Sequence, residues 1–286
     1  MSIANKSIGM TIEYPPCPLC SSEQRRQAYP KFDPYKVVQC NNCGFYYLYP
    51  RPTEAAMLNL YADDNYFEGE AEGYTSYADQ ELALRQTFKR LLFNLKQHSL
   101  TGGKLLEIGC GYGYLLDEAK GLFELRVGTD FSAKAVQQAK TRADLVYCGG
   151  IEQIPKKEKF DLIVATQVIE HVYQPRSLIE QITQHLQPGG VAVIATPDMG
   201  SFWRYLMGHK WPSFKLPEHI LYFDRRSLSQ LMVEVGLSDI KSLPYPHAFP
   251  LPLVAQKLGI KLSGNLNNLN LWMPKTTLAL YGRFYG

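Results

Sequence analysis

The stretch Lys104-Leu-Leu-Glu-Ile-Gly-Cys-Gly-Tyr-Gly-Tyr-Leu115 decides how the rest of the chain is read. Lys104 to Ile108 has the length and apolar content of a short buried strand, Gly109, Gly111 and Gly113 form a turn, and Leu115 opens a helix. Glycine is needed where backbone approaches a ligand closely or takes a positive φ. The helix that follows offers free N–H groups beside the turn. Strand, glycine turn and helix in this order make a nucleotide-binding corner of an α/β sheet. The dinucleotide fingerprint G-x-G-x-x-G/A is not met, because the third glycine comes one residue early and Tyr114 holds the last position. An acid, Glu107, precedes the glycines. Alone, the triplet also fits an ordinary tight strand–helix turn, so the neighbouring segments must choose.

Downstream, strand and helix alternate. Leu125–Thr129 ends in Asp130 and is followed by a helix from Ser132 to Ala143. Leu145–Cys148 is a third strand, Phe160–Ala165 a fourth, and Pro175–His185 a helix. Pro188-Gly189-Gly190 turns the chain into a fifth strand, Val191–Thr196. This order requires a doubly wound, mostly parallel sheet with right-handed crossovers and helices on both faces. The expected fold class is therefore α/β, Rossmann-like. After an aromatic insert at 202–211 comes a helix, Arg225 to Val235, and a sixth strand over 239–243. The last part, 244–286, has five prolines, and Thr276–Tyr281 is a poor match to a closing antiparallel strand.

Upstream, Asp79–Leu100 reads as a long helix with Leu82, Phe88, Leu91, Leu92 and Leu95 mostly on one face. Residues 53–61 form a shorter helix with Thr53 as N-cap. Between them lies a loop rich in Tyr, Gly and acids, whose Tyr66, Tyr74 and Tyr77 are candidates to line a pocket. Before residue 53, Cys17-Pro-Leu-Cys20 and Cys40-Asn-Asn-Cys43 are separated by nineteen residues. Two C-x-x-C turns at this distance match a four-thiolate zinc site, each turn aiming two sulfurs at one ion. A closed four-cysteine site has no open coordination position, so its zinc is structural. Residues 1–14 read as a loose leader. The domain plan is a zinc ribbon over 1–52, a helical linker and lid over 53–100, a ligand-binding domain over 101–243 and an extension over 244–286.

Composition sets the bounds. The 286 residues suffice for one full α/β domain and a small appendage. A net charge of +3 without a long Lys/Arg run lacks the concentrated basic face of a dedicated nucleic-acid binder. No apolar run approaches the ~18 residues of a membrane span, and Met1 to Tyr14 lacks the basic start and apolar run of a signal peptide. The other two cysteines, Cys110 and Cys148, are isolated. A disulfide framework is not expected, so a reducing, cytoplasmic compartment is.

The fuller pattern names a family. Glu107-x-Gly109-x-Gly111-x-Gly113 resembles the first motif of the class I S-adenosylmethionine-dependent methyltransferases. Phe160-Asp-Leu-Ile-Val-Ala-Thr-Gln-Val-Ile-Glu-His-Val172 resembles their fourth-strand motif, and Gln187-Pro-Gly-Gly-Val191 the turn before their fifth strand. The resemblance covers roughly residues 85–200. The cysteine ribbon, a Tyr-x-x-Asp loop and Leu216-Pro-Glu-His219 resemble a bacterial branch with members acting on sugars and other secondary metabolites.

The resemblance implies a set of site residues. Glu107, Gly109 and Gly111, with Cys110 and Gly113 in the same turn, would hold the amino-acid end of S-adenosylmethionine. Asp130, 21 residues after Gly109, would take the ribose hydroxyls, a role an acid at this strand end also has by position alone. Phe131 would lie against the adenine, Ile151 and Glu152 at its edge, and Thr166, Gln167 and His171 around the methyl group. Where the family often has an acid that binds the adenine amine, this chain has Gly150. A neighbour or a backbone group must replace it.

A sulfonium is already an activated leaving group, so the enzyme's tasks are alignment and exclusion of water. A hydroxyl acceptor also needs a base, and His171 and His219 are the candidates because histidine titrates near neutral pH. Position favours His219 as the base and His171 as a site-shaping residue. The expected acceptor is a small molecule, such as a hydroxyl of a sugar or natural product. Arg204, Lys210 and Lys215 are candidates to meet a nucleotide-linked substrate, although they read more simply as solvated surface. One alternative is an RNA methyltransferase gripping phosphates with Arg25, Arg26, Lys31, Lys36 and Arg51 of the ribbon. Another is a silent fold serving as a partner subunit.

Overall fold

The computed structural model describes residues 11–32, 34–62, 80–251, 255 and 269–286. Tyr66, Tyr74 and Tyr77 lie outside the described residues. The N-terminal part contains β1 (Ile12–Glu13), β2 (Arg25–Phe32), β3 (Tyr35–Cys40), β4 (Tyr46–Tyr49), β5 (Arg51–Pro52) and helix α1 (Glu54–Ala62). The expectation of a loose leader fails at its end: β1 pairs antiparallel with β5, and Glu13 holds Arg51 at 2.6 Å. Thr53 begins α1, its Oγ1 accepting from the Ala56 N–H at 3.4 Å.

Next come helix α2 (Glu81–Gln97), β6 (Lys104–Ile108), α3 (Tyr114–Glu118), β7 (Leu125–Asp130), α4 (Ala133–Ala139), β8 (Leu145–Cys148), β9 (Phe160–Thr166), α5 (Pro175–His185) and β10 (Leu186–Pro197). The chain ends with α6 (Phe202–Met207), β11 (Leu221–Tyr222), α7 (Arg225–Glu234), β12 (Leu237–Ser242), β13 (His247–Pro250), β14 (Asn270–Met273) and β15 (Thr277–Phe284). The Gln187-Pro-Gly-Gly turn is taken up inside β10, as a shift of its register on β9 between Leu186 and Val191. Ser132 caps α4 through its side chain, as its residue type predicts.

Seven strands form one sheet in the order β12-β15-β10-β9-β6-β7-β8. β6 pairs parallel with both β7 and β9, so the chain crosses over in opposite directions on its two sides. This is a topological switch point, where strand ends diverge and a crevice opens. The exception to parallel pairing is β15, inserted antiparallel between β10 and β12. Thr276–Tyr281, the poor match in sequence, thus falls almost wholly within the closing strand. β15 lacks an alternating pattern because it is central: Leu278, Ala279, Leu280 and Tyr281 are all buried. Gly282 fits there because a Cβ would come within 2.5 Å of Ile240 Cδ1.

The period of two along the strands divides the core between the two faces. Leu106, Ile108, Ile163, Ala165, Ala192 and Ile194 pack with Ile179 and Ile182 of α5 and Leu228, Leu231 and Met232 of α7. Leu105, Leu162, Val164, Val193 and Ala195 pack with Leu91, Leu92 and Leu95 of α2 and Leu115 and Leu116 of α3. Leu82, expected on the apolar face of α2, is 43% exposed; Ala83 and Thr87 are buried instead.

The cysteine ribbon does not stand apart. β2, β3 and β4 form a four-stranded sheet with β11, which comes from the segment after the fifth strand of the catalytic part. Tyr35, Val37, Phe45, Tyr47 and Leu48 belong to the same apolar cluster as α5 and α7. The aromatic stretch 211–223 is therefore wedged between ribbon and main sheet: Phe214 meets Tyr29 and Trp211, and Phe223 meets Phe45.

Candidate active site

The glycine turn leaves β6 at the switch point. Gly109 has φ +70°, and a Cβ there would come within 2.6 Å of Val168 Cγ2, so both conformation and space demand glycine. Gly113 has φ +78° and lies 3.1 Å, at a built Cβ, from Ala139 of α4, which makes it a close-packing glycine. The Cys110 thiol faces the core, where a Cβ on Gly128 would meet it at 2.8 Å. The Cys110 N–H is donated to Thr129 O at 2.9 Å. The Cys110 carbonyl accepts from the Gly113 N–H at 2.9 Å.

Asp130 at the end of β7 ties this corner together. Its Oδ2 accepts from the Gly111 N–H at 2.8 Å and its Oδ1 from the Ser132 N–H at 2.9 Å. Burial raises its pKa, opposed by these two hydrogen bonds. Glu107, 2% exposed, has one carboxylate oxygen, Oε2, with no hydrogen-bond partner. Burial first, and the Asp130 charge second, push the Glu107 carboxyl well above its usual range. An unpartnered buried carboxyl of this kind is costly.

Beside β7 and β8, Phe131 stands 56% exposed and Ile151 is buried. The space beside Gly150 is filled by a neighbour. Glu152 Oε1 accepts from the Gly150 N–H at 2.8 Å, and its Oε2 lies 2.4 Å from where a Cβ on Gly150 would be. The Glu152 carboxylate thus occupies the space of a side chain at 150.

The end of β9 carries Thr166 and Gln167. Gln167 has φ +56°, an uncommon conformation for a residue with a Cβ, and its Nε2 is buried without a partner. A short 3₁₀ turn, Ile169–His171, follows. Glu170 is buried, with Oε2 accepting from Thr196 Oγ1 at 3.0 Å and burial pushing its pKa up to about 8.

Residues 171 and 219, far apart in sequence, meet here. Their rings cross edge to face with centroids 4.7 Å apart. Each ring is anchored by the same device: His171 Nδ1 lies 2.9 Å from Glu218 O, and His219 Nδ1 lies 2.9 Å from Ser213 O. A carbonyl only accepts, so both Nδ1 atoms carry the hydrogen and both Nε2 atoms keep the lone pair in the neutral ring. Burial, then Lys215, depresses the His171 pKa to about 3; burial, then His171 and Lys215, holds His219 well below its usual range. The His219 segment is fastened on both sides, Ile220 donating to Glu170 O at 2.9 Å and its own carbonyl accepting from Leu48 N of the ribbon at 2.9 Å.

One residue of the site was not legible in the sequence. Tyr245, in the proline-rich extension, is 6% exposed with its hydroxyl in the neighbourhood of Thr166, Glu107 and Glu170. Burial drives its pKa far up. Asn94 of α2 holds the loop by donating to Pro244 O at 2.6 Å. A lone tyrosine between two prolines has no periodicity to reveal it.

The four cysteines converge because the start of β2 pairs with the end of β3, Arg25 opposite Cys40, which brings both turns to the open end of the hairpin. Cys17 and Cys43 sulfurs are 3.5 Å apart, Cys20 and Cys40 sulfurs 3.6 Å, and all four lie within 4.8 Å of one another. Tetrahedral zinc with ~2.3 Å bonds requires sulfurs roughly 3.8 Å apart, so the donor set fits that ion. All six cysteines are free thiols. Among the described residues no helix is long and apolar enough to cross a membrane.

A parallel sheet with a glycine turn and an acid at the switch point defines a nucleoside-binding α/β enzyme. The chain belongs to the methyltransferase domain family, which matches residues 74–242, and the protein is an S-adenosylmethionine-dependent methyltransferase. It is 30% identical over 141 residues to a ubiquinone biosynthesis O-methyltransferase of Bradyrhizobium, covering 42% of this chain and 56% of that one. It is 32% identical over 123 residues to one of Rhodopseudomonas palustris, covering 41% and 45%. The chain thus spans about half the length of these relatives. Its fold is similar to magnesium protoporphyrin IX methyltransferase of Synechocystis, with TM-score 0.54, 12% identity, and 81% and 100% of the two chains covered. It is also similar to a methyltransferase of Thermotoga maritima described as a possible histamine N-methyltransferase, with TM-score 0.51, 17% identity, and 71% and 91% covered.

Proposed function

We propose that the enzyme methylates a hydroxyl of a small molecule, such as a sugar or natural product, with His219 Nε2 as the base. The observation that carries this reading is the pair of imidazoles with fixed Nδ1 hydrogens, buried and crossing beside the short turn that follows β9. A base has to be unprotonated and oriented before the acceptor arrives, and this pair meets both conditions. The relatives named as O-methyltransferases agree with it.

For the cofactor, we assign Glu107 to the ammonium of the methionine end, because its buried, unpartnered Oε2 needs a positive partner. Gly109 and Gly111 bring backbone to the same end. Asp130 keeps lone pairs for the ribose hydroxyls beyond its two backbone bonds. Phe131 covers the adenine, Ile151 lies under its edge, and Thr166 and Gln167 face the methyl group. When bound, the cofactor supplies a methyl group on a sulfonium; the protein's residues orient it, exclude water and take the acceptor's proton. We assign a structural zinc to Cys17, Cys20, Cys40 and Cys43.

The RNA reading finds less support, since Arg25 donates to Tyr47 and lies over Tyr49, while Arg51 is buried on Tyr173 and paired with Glu13. The functional test is to incubate the enzyme with isotopically labelled cofactor and a cell extract. Label in the small-molecule fraction, in a product stable to base hydrolysis as an ether is, supports the reading. Label confined to RNA overturns it.

Two binding predictions follow from the assignments. Asp130→Ala removes a charge-assisted contact and frees the Gly111 and Ser132 N–H groups, so S-adenosylhomocysteine affinity should fall by about 1.5–3 kcal/mol, roughly ten- to a hundredfold. Calorimetry giving equal affinity for the mutant would count against the assignment. We also assign the Glu152 carboxylate to the adenine amino group, so Glu152→Ala should weaken S-adenosylhomocysteine binding about five- to tenfold. The same change should leave an analogue without the 6-amino group nearly unaffected. An equal loss for both ligands would show that Glu152 only braces the Gly150 turn.

A further inference from the structure

Helix α6 buries none of its residues, yet its composition is that of a core helix. Phe202, Tyr205 and Leu206, at i, i+3 and i+4, share one face and are 66%, 77% and 65% exposed. So short a helix is marginal alone, and this one is pinned from below. Ser201 Oγ accepts from Arg204 N, the Arg204 guanidinium donates to Met199 O and Tyr29 Oη, and Trp203 Nε1 donates to Pro274 O at 2.9 Å. The last bond joins α6 to Pro274, just past β14, on or beside which Leu269, Leu271 and Trp272 are 52%, 42% and 43% exposed. Six large apolar side chains thus stand out on two adjoining elements held by their polar parts. Single exposed apolar residues need no explanation, but a grouped set does.

Among the described residues, the charged side chains on and beside these two elements are positive. From Met199 to Pro217 the chain has Arg204, Lys210 and Lys215 and no acid, and Lys275 lies just past β14. Lys210 and Lys275 are exposed and make no ion pair among the described residues. The bordering acids are occupied: Asp198 accepts from Gly200 N and Asp224 caps α7.

We propose that this face docks on an anionic phospholipid surface, with Phe202, Leu206 and Trp272 entering the interface and Lys210 and Lys275 meeting the headgroups. Aromatic and aliphatic side chains backed by lysines are what such an interface accepts. A second copy of the chain would bring like charges together. Single-stranded nucleic acid would use the rings but not the three leucines. Because α6 follows directly on the end of β10, docking places the rim of the active site against the lipid headgroups.

The test is co-sedimentation of the full chain with phosphatidylcholine vesicles, with and without phosphatidylglycerol. The protein should sediment with the anionic vesicles and be released as salt rises. Phe202→Ser combined with Leu206→Ser, and separately Lys210→Glu combined with Lys275→Glu, should each weaken vesicle binding by about tenfold or more. Unchanged S-adenosylhomocysteine affinity checks that each variant is folded, and either variant suffices if the other is not. Three results overturn the proposal: equal binding to neutral vesicles or none to anionic ones, vesicle binding intact in a folded variant, or a concentration-dependent dimer or RNA complex lost in the variants without vesicle binding.

Discussion

Cys40→Ser should lose the metal and, with it, most of the methyl-transfer rate, although Cys40 belongs to a module that carries none of the assigned catalytic or cofactor-binding residues. Binding of structural zinc supplies about 10–16 kcal/mol in small zinc modules, far more than a ribbon of this size gains from packing. The link to activity is mechanical. β11 begins two residues after His219 and is the edge strand of the cysteine sheet, where Leu221 faces Tyr47 and Leu48 donates to Ile220 O at 2.9 Å. If the sheet loosens, the backbone that aims His219 loses its support. A displacement of about 1 Å can cost on the order of a hundredfold in rate. Cofactor affinity should change little, because the glycine turn and Asp130 are built on β6 and β7. Metal analysis, calorimetry and initial rates on one preparation check all three. Zinc retained in the mutant would refute the ligand assignment, and zinc lost with full activity would refute the mechanical coupling.

His219→Ala should lower kcat by about 10²–10⁴-fold with cofactor affinity nearly unchanged, the signature of an interaction made in the transition state. His171→Ala should disturb cofactor binding as well, because its ring ties the turn after β9 to Glu218 O. The pH profile offers an independent check. The neutral ring is the active form of the base, and burial, His171 and Lys215 lower its pKa. Protonation then sets in only below the ordinary histidine value, so kcat should stay flat from about pH 8 down to about 6.5. A free imidazole would be half protonated at the lower end. An acid limb centred at 6.5, or full activity in both alanine mutants, would mean that alignment alone carries the reaction.

Much of the catalytic half was legible because it depends on short-range rules. Buried strands read as apolar runs, the glycine turn announces itself by residue type, and α5 begins and ends at Pro175 and His185, as its start and stop signals require. The two C-x-x-C turns are equally local. Where local rules lapse, so does legibility. β15 is buried on both faces and shows no alternation, and Tyr245 is a single side chain in an irregular loop. The contact of the Glu152 carboxylate with the Gly150 N–H depends on a side chain folding back over two residues, which no spacing pattern reports.

The sequence by itself determined the cofactor class, the sheet that carries it and the four-thiolate set, because each rests on residues that act within a few positions of one another. Tertiary structure alone decided where the ribbon packs and which side chains meet His219. The crossing of His171 and His219 spans 48 residues, and the fastening of Ile220 to both Glu170 and Leu48 spans 172 at its longest. Such contacts join residues that only the packing of the whole fold brings together. Their energy comes from burying apolar surface that neither part can cover alone.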